Sequence, residues 1–372
     1  MTFAIASHVI HGKEGDSFYG YAPYVKEMNI WFKHVDEVIV VAPLQKRRVK
    51  SKIDANYSAK RIKMNAVPAI HFTSLFSIIK SVCSLPIIIL KLYLAFRKAD
   101  HIHLRCPGNI GLLGCLVQVL FPHKQKTAKY AGNWDPNAQQ PNSYKFQKWV
   151  LSNTFLTRNM KVLVYGEWEN QSSNIKPFFT ASFKSADRIN YTEKAYSKKL
   201  QFVFVGALVE GKRPFLAIDI IKGLIEKGKS AELQVYGDGP LRQALELYTE
   251  ELGISSHVNF YGNQPLNNLK LAYQSAHFAI LPSKSEGWPK AIAEAMFFGV
   301  IPISTAVSCV PSMLDHGQRG ILIAPEAKLA VEEIYGLLNQ KTELKNKSEK
   351  ALKWSQNYTI ERFESEIKQL LA

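Results

Sequence analysis

One stretch says more than any other about what this chain folds into: Ala279-Ile-Leu-Pro-Ser-Lys-Ser-Glu-Gly-Trp-Pro-Lys-Ala-Ile-Ala-Glu-Ala-Met-Phe-Phe-Gly-Val-Ile-Pro-Ile303. The apolar run His277 to Leu281 has the length of a buried strand. Pro289 suits the first turn of a helix, and Gly299 suits its left-handed end. The second apolar run, Val300 to Ile303, completes a βαβ unit. Between Ala291 and Phe298, Glu294 is the single ionisable residue. A lone carboxylate on an apolar helix needs a hydrogen-bonding partner, because burying it unpaired costs several kcal/mol. The hydroxyls of a ligand would serve. Glu286 precedes the helix beside Gly287, in a loop whose free N–H groups and helix dipole favour a phosphate. Such a row suits a nucleotide sugar, with sugar at Glu286, diphosphate at the helix start and ribose at Glu294. Two solvated glutamates would be the plain alternative.

The full string Pro-Ser-x-x-x-Glu-Gly-(x)6-Ala-Glu-Ala-Met-x-x-Gly is far more specific than two glutamates. It resembles the donor-site signature of the GT-B glycosyltransferases of family 4, the large retaining family. That resemblance implies an α/β chain of two Rossmann-like domains facing a cleft. The first would be an acceptor domain over 1–180, and the second a nucleotide-sugar donor domain over 181–353. A closing segment over 354–372, opening on Trp354-Ser-Gln-Asn-Tyr-Thr-Ile-Glu-Arg-Phe363, would return to the first. Glu286, Gly287, Trp288, Pro289, Lys290 and Glu294 would line the donor.

Other segments match the same family. Gln201-Phe-Val-Phe-Val-Gly-Ala-Leu-Val-Glu-Gly-Lys-Arg-Pro214 places Gly206 and Lys212 where the family clamps the donor diphosphate. Ala207 stands where an arginine is usual, which removes a strong charge-assisted contact, and Arg213 is the neighbouring cation. In Ala231-Glu-Leu-Gln-Val-Tyr-Gly-Asp-Gly-Pro-Leu241, the residues Gly237, Asp238 and Gly239 match a turn that lets backbone approach the nucleotide. The first half resembles the family more loosely. Gly12 and Gly15 lie in a glycine loop after a strand read over Phe3 to Ile10. His103 and Arg105 match a strand that ends at the cleft. After the next strand, where relatives often carry a histidine, this chain has Asn133 and Asp135. The catalytic set implied is therefore Glu286, Lys212, Arg105 and Asp135.

The reaction implied is transfer of a sugar from a nucleotide diphosphate sugar to a hydroxyl of a glycan or lipid-linked acceptor, with retention. No Asp-x-Asp occurs in the chain. We therefore expect no metal and no cofactor beyond the donor, the diphosphate charge falling to Lys212, Arg213 and the helix start. A non-hydrolysing nucleotide-sugar epimerase of the same architecture, or a non-catalytic glycan-binding protein, would share much of this pattern.

Charge adds a second constraint. The chain carries a net charge of +16. Residues 1–197 hold 27 Lys and Arg against 12 Asp and Glu, while the remainder holds 20 against 19. A basic half attracts nucleic acid, anionic lipid or an acidic glycan. No zinc-finger spacing or ribonucleoprotein signature accompanies it, so nucleic acid is not expected. Lys46, Arg47, Arg48, Lys50, Lys52, Lys60, Arg61 and Lys63 read as a solvated loop or a patch resting on lipid head groups. From Leu75 to Phe96 the chain is strongly apolar but interrupted by Lys80, Pro86 and Lys91. It reads as a half-buried helix rather than a membrane span, with an interfacial helix left open. The four cysteines show no paired spacing, which fits a reducing cytoplasm. We expect a cytoplasmic protein, peripheral on the membrane face. Residues 180–200 read as an interdomain linker.

Overall fold

Strands that are apolar along their whole length, rather than at alternate positions, belong in a parallel sheet covered on both faces. The computed structural model bears this out for both halves of the chain. It describes residues 1–372 except 46, 52, 71–73, 197 and 198 and the side chains of 75 and 76. Two compact units emerge, Met1–Phe179 with Phe363–Ala372, and Thr180–Arg362.

The first unit contains β1 (Thr2–Ala6), β2 (Gly12–Glu14), β3 (Ser17–Tyr21), α1 (Ala22–Phe32), β4 (Glu37–Pro43), β5 (Asp54–Asn56) and β6 (Ile62–Val67). It continues with α2 (Leu75–Lys98), β7 (His101–Cys106), α3 (Asn109–Val117), β8 (Gln125–Tyr130), α4 (Asn142–Ser152), β9 (Met160–Tyr165) and β10 (Ile175–Phe178). Among the described residues these give a seven-stranded parallel sheet, ordered β10-β9-β8-β7-β1-β4-β6, and a small antiparallel sheet, β2-β3-β5. The core between α2, α3 and the large sheet is built from Ile88, Leu92 and Phe96 against Ala4, Ile102 and Leu104. Each of these leucine, isoleucine and phenylalanine side chains contributes about 1.5–3 kcal/mol when fully buried.

Two local expectations need correction here, and two prolines find their places. The first strand ends at Ala6 rather than running to Ile10. The glycine loop behind it is a β-hairpin, in which Gly15 takes φ +58 at the turn between the paired Glu14 and Ser17. Lys176 and Pro177 lie in β10, where the proline is tolerated because β10 is an edge strand. α2 is one continuous helix of 24 residues despite Pro86, opened by a capping box between Ser74 and Ser77.

The second unit comprises β11 (Leu200–Val205), α5 (Pro214–Glu226), β12 (Ala231–Tyr236), α6 (Arg242–Glu251), β13 (Val258–Gly262), α7 (Leu266–Ser275) and β14 (Phe278–Leu281). Then come α8 (Lys290–Met296), β15 (Ile301–Thr305), α9 (Val310–Met313), β16 (Ile321–Ile323), α10 (Ala327–Leu338) and α11 (Lys341–Ser355). Its parallel sheet is ordered β13-β12-β11-β14-β15-β16. The last helix, α12 (Ile360–Leu371), starts in this unit and ends in the first, where Phe363 packs on Phe178 and Phe179. The chain therefore leaves the second unit after Arg362 rather than at Trp354, because Trp354 and Tyr358 pack on Trp288. Residues 180–196 are not a free linker either. Phe183 packs on Phe297 and Phe298, and Asp187 pairs with Lys270 at 2.6 Å.

One close approach locks the loops of this unit. Gly237 has φ +135, and a Cβ there would lie 1.9 Å from the carbonyl oxygen of Gly206. Gly237→Ala should therefore cost about 3 kcal/mol or more of second-unit stability. Urea denaturation checks this, with Gly228→Ala, at positive φ but in open space, as the milder comparison.

Candidate active site

In an open parallel sheet, ligands bind beyond the carboxyl ends of the strands, where the strand order reverses. In the second unit that reversal lies between β11 and β14, so the loops after these strands carry the site. The β11 loop leaves through Gly206, makes a short 3-10 turn over Glu210–Lys212 and enters α5 through Arg213 in the left-handed region, φ 49. The β14 loop is tied to it by a bond from the Lys284 amide to the Gly211 carbonyl, 2.8 Å.

This tie brings Lys212 and Glu286 together. Lys212 Nζ donates to Glu286 Oε1 at 2.5 Å, and Ser283 Oγ donates to the same oxygen at 2.6 Å. Glu286 is buried, and the Lys212 side chain is about a quarter exposed. Thr305 Oγ1 on β15 donates to the Ser283 carbonyl at 2.5 Å. Arg213 donates from one guanidinium nitrogen to the carbonyls of Pro282 and Ser283, at 3.4 and 3.3 Å. Arg213 thus braces the β14 loop, a role that its position beside Lys212 did not reveal. Cys309 Sγ contacts the Gly287 carbonyl at 3.0 Å, and burial pushes its thiol up to about 12. Ser283 and Thr305 act as supports that no local sequence pattern announced.

The helix behind the loop is shorter than expected. α8 has seven residues, and Pro289 sits just outside it, its carbonyl accepting from the amides of Ile292 and Ala293. Trp288 packs against Trp354 at a ring-centroid distance of 6.1 Å. Lys290 is the first residue of the helix. Glu294 is buried, as an apolar helix face demands. It finds its hydroxyl partners within the protein, namely Ser182 Oγ and, at 3.1 Å, the Tyr273 hydroxyl. The carboxylate beside it pushes the Tyr273 phenol further up than burial alone does.

Gly237, Asp238 and Gly239 form the next loop. Gly239 would place a Cβ 2.5 Å from the Leu208 carbonyl oxygen, and the Leu208 amide donates to the Asp238 carbonyl at 3.0 Å. Both glycines are required by contact with the 206–208 loop, and the Asp238 carboxylate caps the Gly239 amide at 2.8 Å.

The first unit holds a separate polar cluster. His101, His103 and Arg105 alternate along β7 and share the face covered by α1. His103 is fully buried, with Nδ1 2.8 Å from Thr127 Oγ1 and its ring 4.7 Å from that of Trp31. Burial holds it neutral, well below its ordinary value, so it is a core residue rather than one at a strand end. Arg105 contacts Glu27 Oε1 at 3.1 Å, and Lys129 reaches the same oxygen at 3.0 Å. Lys129 is fully buried among the rings of Tyr165, Phe178 and Phe363. Glu27 escaped the sequence reading, although a carboxylate between Tyr24 and Trp31 on the apolar face of α1 was a visible signal. Asn133 and Asp135 are half-buried. They shape the loop after β8, Asn133 accepting from the Asp135 amide at 2.9 Å and Asp135 from the Asn137 amide at 2.8 Å. Lys148 also donates to the Asp135 carbonyl, and burial lowers it to about 8. Gly12 and Gly15 serve the hairpin, Gly12 lying flat under the Tyr19 ring.

Residues 187–357 match the family described as glycosyl transferases group 1. The match lies wholly within the second unit. It is similar to the putative colanic acid biosynthesis glycosyltransferase WcaL of Escherichia coli, 29% identical over 136 residues, covering 35% of this chain and 34% of that one. It is also similar to the GalNAc-alpha-(1->4)-GalNAc-alpha-(1->3)-diNAcBac-PP-undecaprenol alpha-1,4-N-acetyl-D-galactosaminyltransferase of Campylobacter jejuni, 26% identical over 193 residues, covering 50% and 52%. The matches thus span about a third to a half of these relatives' length. Among solved structures, Anabaena Alr3699/HepE in complex with UDP and glucose overlays with a TM-score of 0.69 at 12% identity, covering 100% of this chain and 99% of that one. The chain has the GT-B fold.

Two outcomes follow from the first-unit cluster. Glu27→Ala leaves Arg105 and Lys129 without their shared carboxylate and should lower stability by about 3–5 kcal/mol, read by chemical denaturation. The buried histidines also set an acid limit. Burial holds His11 and His101 at about 4, against an ordinary 6.5, so the unfolded chain binds protons before the folded one does. Stability present above 6.5 should be lost as pH falls toward 4, by about 2 kcal/mol per histidine at pH 5. Denaturant midpoints measured across that range test the sign.

Proposed function

We propose that this protein is a retaining, metal-independent glycosyltransferase. It would move a sugar from a nucleotide diphosphate sugar to a hydroxyl of a glycan or lipid-linked acceptor in cell-surface polysaccharide synthesis. The observation that carries this reading is the Lys212–Glu286–Ser283 cluster at the strand-order reversal of a glycosyl transferases group 1 domain. Relatives named for colanic acid synthesis and for an undecaprenol-linked acceptor support the pathway class, and a fold neighbour holding UDP and glucose supports the donor class.

In this reading the bond from the sugar's anomeric carbon to the diphosphate breaks, and a bond to the acceptor oxygen forms on the same face. The acceptor proton passes to the departing phosphate oxygen. An ammonium has three N–H donors, and the Glu286 contact uses one, so Lys212 has donors left for the diphosphate. Its charge then stabilises the leaving group in a preorganised setting. Glu286, held by Lys212 and Ser283, takes the sugar hydroxyls. Glu294 takes the ribose by exchanging its bond to Ser182. Arg105 and Asp135 are assigned to the acceptor side. The enzyme works at the cytoplasmic membrane face, held peripherally by its basic first unit.

Glu286→Gln should lower kcat by about 10²–10³ while leaving nucleotide affinity within a few fold, because it removes an interaction with the reacting sugar. Lys212→Met should weaken nucleotide binding as well. Thermal-shift titration with UDP, GDP and ADP sugars, followed by a transfer assay with and without EDTA, reads all of these. Conversion of the donor sugar without any acceptor would replace this reading by an epimerase. Binding of glycan without turnover, indifferent to Glu286→Gln, would replace it by a binding protein.

A further inference from the structure

The helix α2 carries two faces of opposite function, and only one of them is needed by the fold. Ser81, Ile88, Leu92, Ala95 and Phe96 are buried toward the sheet and α3. On the other side, Ile78, Ile79, Val82, Ile87, Leu90 and Leu94 are 37–55% exposed. At 100° per residue these six fall on a single half of the helix. Among the described residues, 77–98 is the one helix long and apolar enough to cross a membrane, yet its inner face is packed on this unit. A soluble helix of this kind carries charges where α2 carries isoleucine and leucine.

Charge decides what covers the stripe. Lys80 and Lys98 follow one edge of it and Arg97 ends it, Lys91 on the same edge being bonded to the Ala66 carbonyl, while α2 has no carboxylate. From residue 55 to residue 134 the chain holds a single acidic residue, Asp100, which accepts from the Thr2 amide at 2.7 Å. A second copy seated on this face would bring like charges together, whereas an anionic bilayer satisfies the apolar stripe and the cations at once. The basic loop at 45–63 fits this role less well. Arg48 pairs with Asp54 at 2.6 Å and Lys50 with Glu14 at 3.3 Å, and Lys46 and Lys52 lie outside the described residues. Beside the stripe, Ile70, Val82, Leu85, Leu112 and Leu113 line an apolar groove of about 170 Å³ between α2 and α3, open to a hydrocarbon chain.

We propose that the outer face of α2 lies in the surface of an anionic lipid bilayer, apolar stripe inward and lysines at the phosphates. The proposal rests on the peripheral membrane association given above, but not on sugar transfer, and its readout needs no donor or acceptor.

The protein supplies its own reporter. Cys83 lies on the exposed side of α2, and the other three cysteines are buried. The full chain is labelled at Cys83 with an environment-sensitive fluorophore and mixed with vesicles of phosphatidylethanolamine and phosphatidylglycerol, or of phosphatidylcholine alone. We expect a blue shift with the anionic vesicles, quenching by nitroxide-bearing lipid and co-sedimentation. The double variant Ile79→Glu/Leu90→Glu should need about tenfold more lipid for half-sedimentation. Its circular dichroism and unfolding midpoint should be unchanged, because both positions are half exposed. The α2 assignment is overturned if the protein sediments but Cys83 emission stays water-like, or if the double variant sediments like wild type. Failure of the wild type to sediment would end both this proposal and the peripheral association. A dimer in light scattering that the double variant turns into monomer would assign the stripe to a second copy and equally overturn it.

Discussion

The backbone contact between Gly237 and Gly206 is the constraint on which the second unit's site depends. The Gly237 carbon lies so close to the Gly206 carbonyl oxygen that no side chain fits between them. The Gly206 amide in turn bonds to the Tyr236 carbonyl, and the Gly237 amide to the Gly262 carbonyl, both at 2.9 Å. Three loops that leave three neighbouring strands are thereby held as one surface. That rigidity passes along the β11 loop to the turn at Glu210–Lys212, and from Gly211 through a backbone bond to Lys284 on the β14 loop. Lys212 and Glu286 meet because their loops are fixed first. The ion pair is a consequence of the scaffold, and a partly exposed pair of this kind would contribute little to holding it.

Buried charge in the first unit follows the opposite logic. Glu27, Arg105 and Lys129 come from three elements, α1, β7 and β8, and Lys129 has no exposed surface. Removing charges from water costs several kcal/mol each, and their mutual attraction offsets this only when the geometry is complete. The cluster therefore specifies the register of α1 over the sheet. The neighbouring histidines remain neutral beneath the same helix, stacked on Phe3, with Trp31 tilted against His103. A reading of His103 as a chemical group loses to this packing.

Legibility from the sequence followed how local each signal was. The βαβ unit around Glu286 was readable because an apolar run, a proline, a glycine and a second apolar run fall within one short stretch, and Gly299 does take φ +68. Two parallel sheets were readable for the same reason. Contacts made at long range were not. Ser182 lies far from Glu294 in sequence, and Glu27 lies far from Lys129, so neither pairing leaves a local pattern. Proline reads as a breaker, yet Pro177 sits on a sheet edge and Pro86 inside a long helix, the helix that the apolar run over Leu75–Phe96 had predicted. The hairpin at 12–21 had a usable signal, Gly-Asp between two short runs, which the expectation of a glycine loop concealed.

Charge in the first unit is the last feature that the fold alone does not require. Some of its cations are internal: Lys126 is buried, its Nζ bonded to the Phe121 carbonyl at 3.0 Å and lowered by burial to about 8, and Lys129 is neutralised by Glu27. Those groups have partners and cannot attract anything from outside. The excess that remains on the surface repels itself and lowers the stability of the compact state. A chain that needed only solubility would mix carboxylates among these lysines, as this chain does from residue 198 onward with 20 basic against 19 acidic residues. The self-repulsion is tolerable where an anionic surface neutralises it. The shortage of acidic residues between 55 and 134, in the same segment that exposes the α2 stripe, ties the charge and the apolar face to one partner.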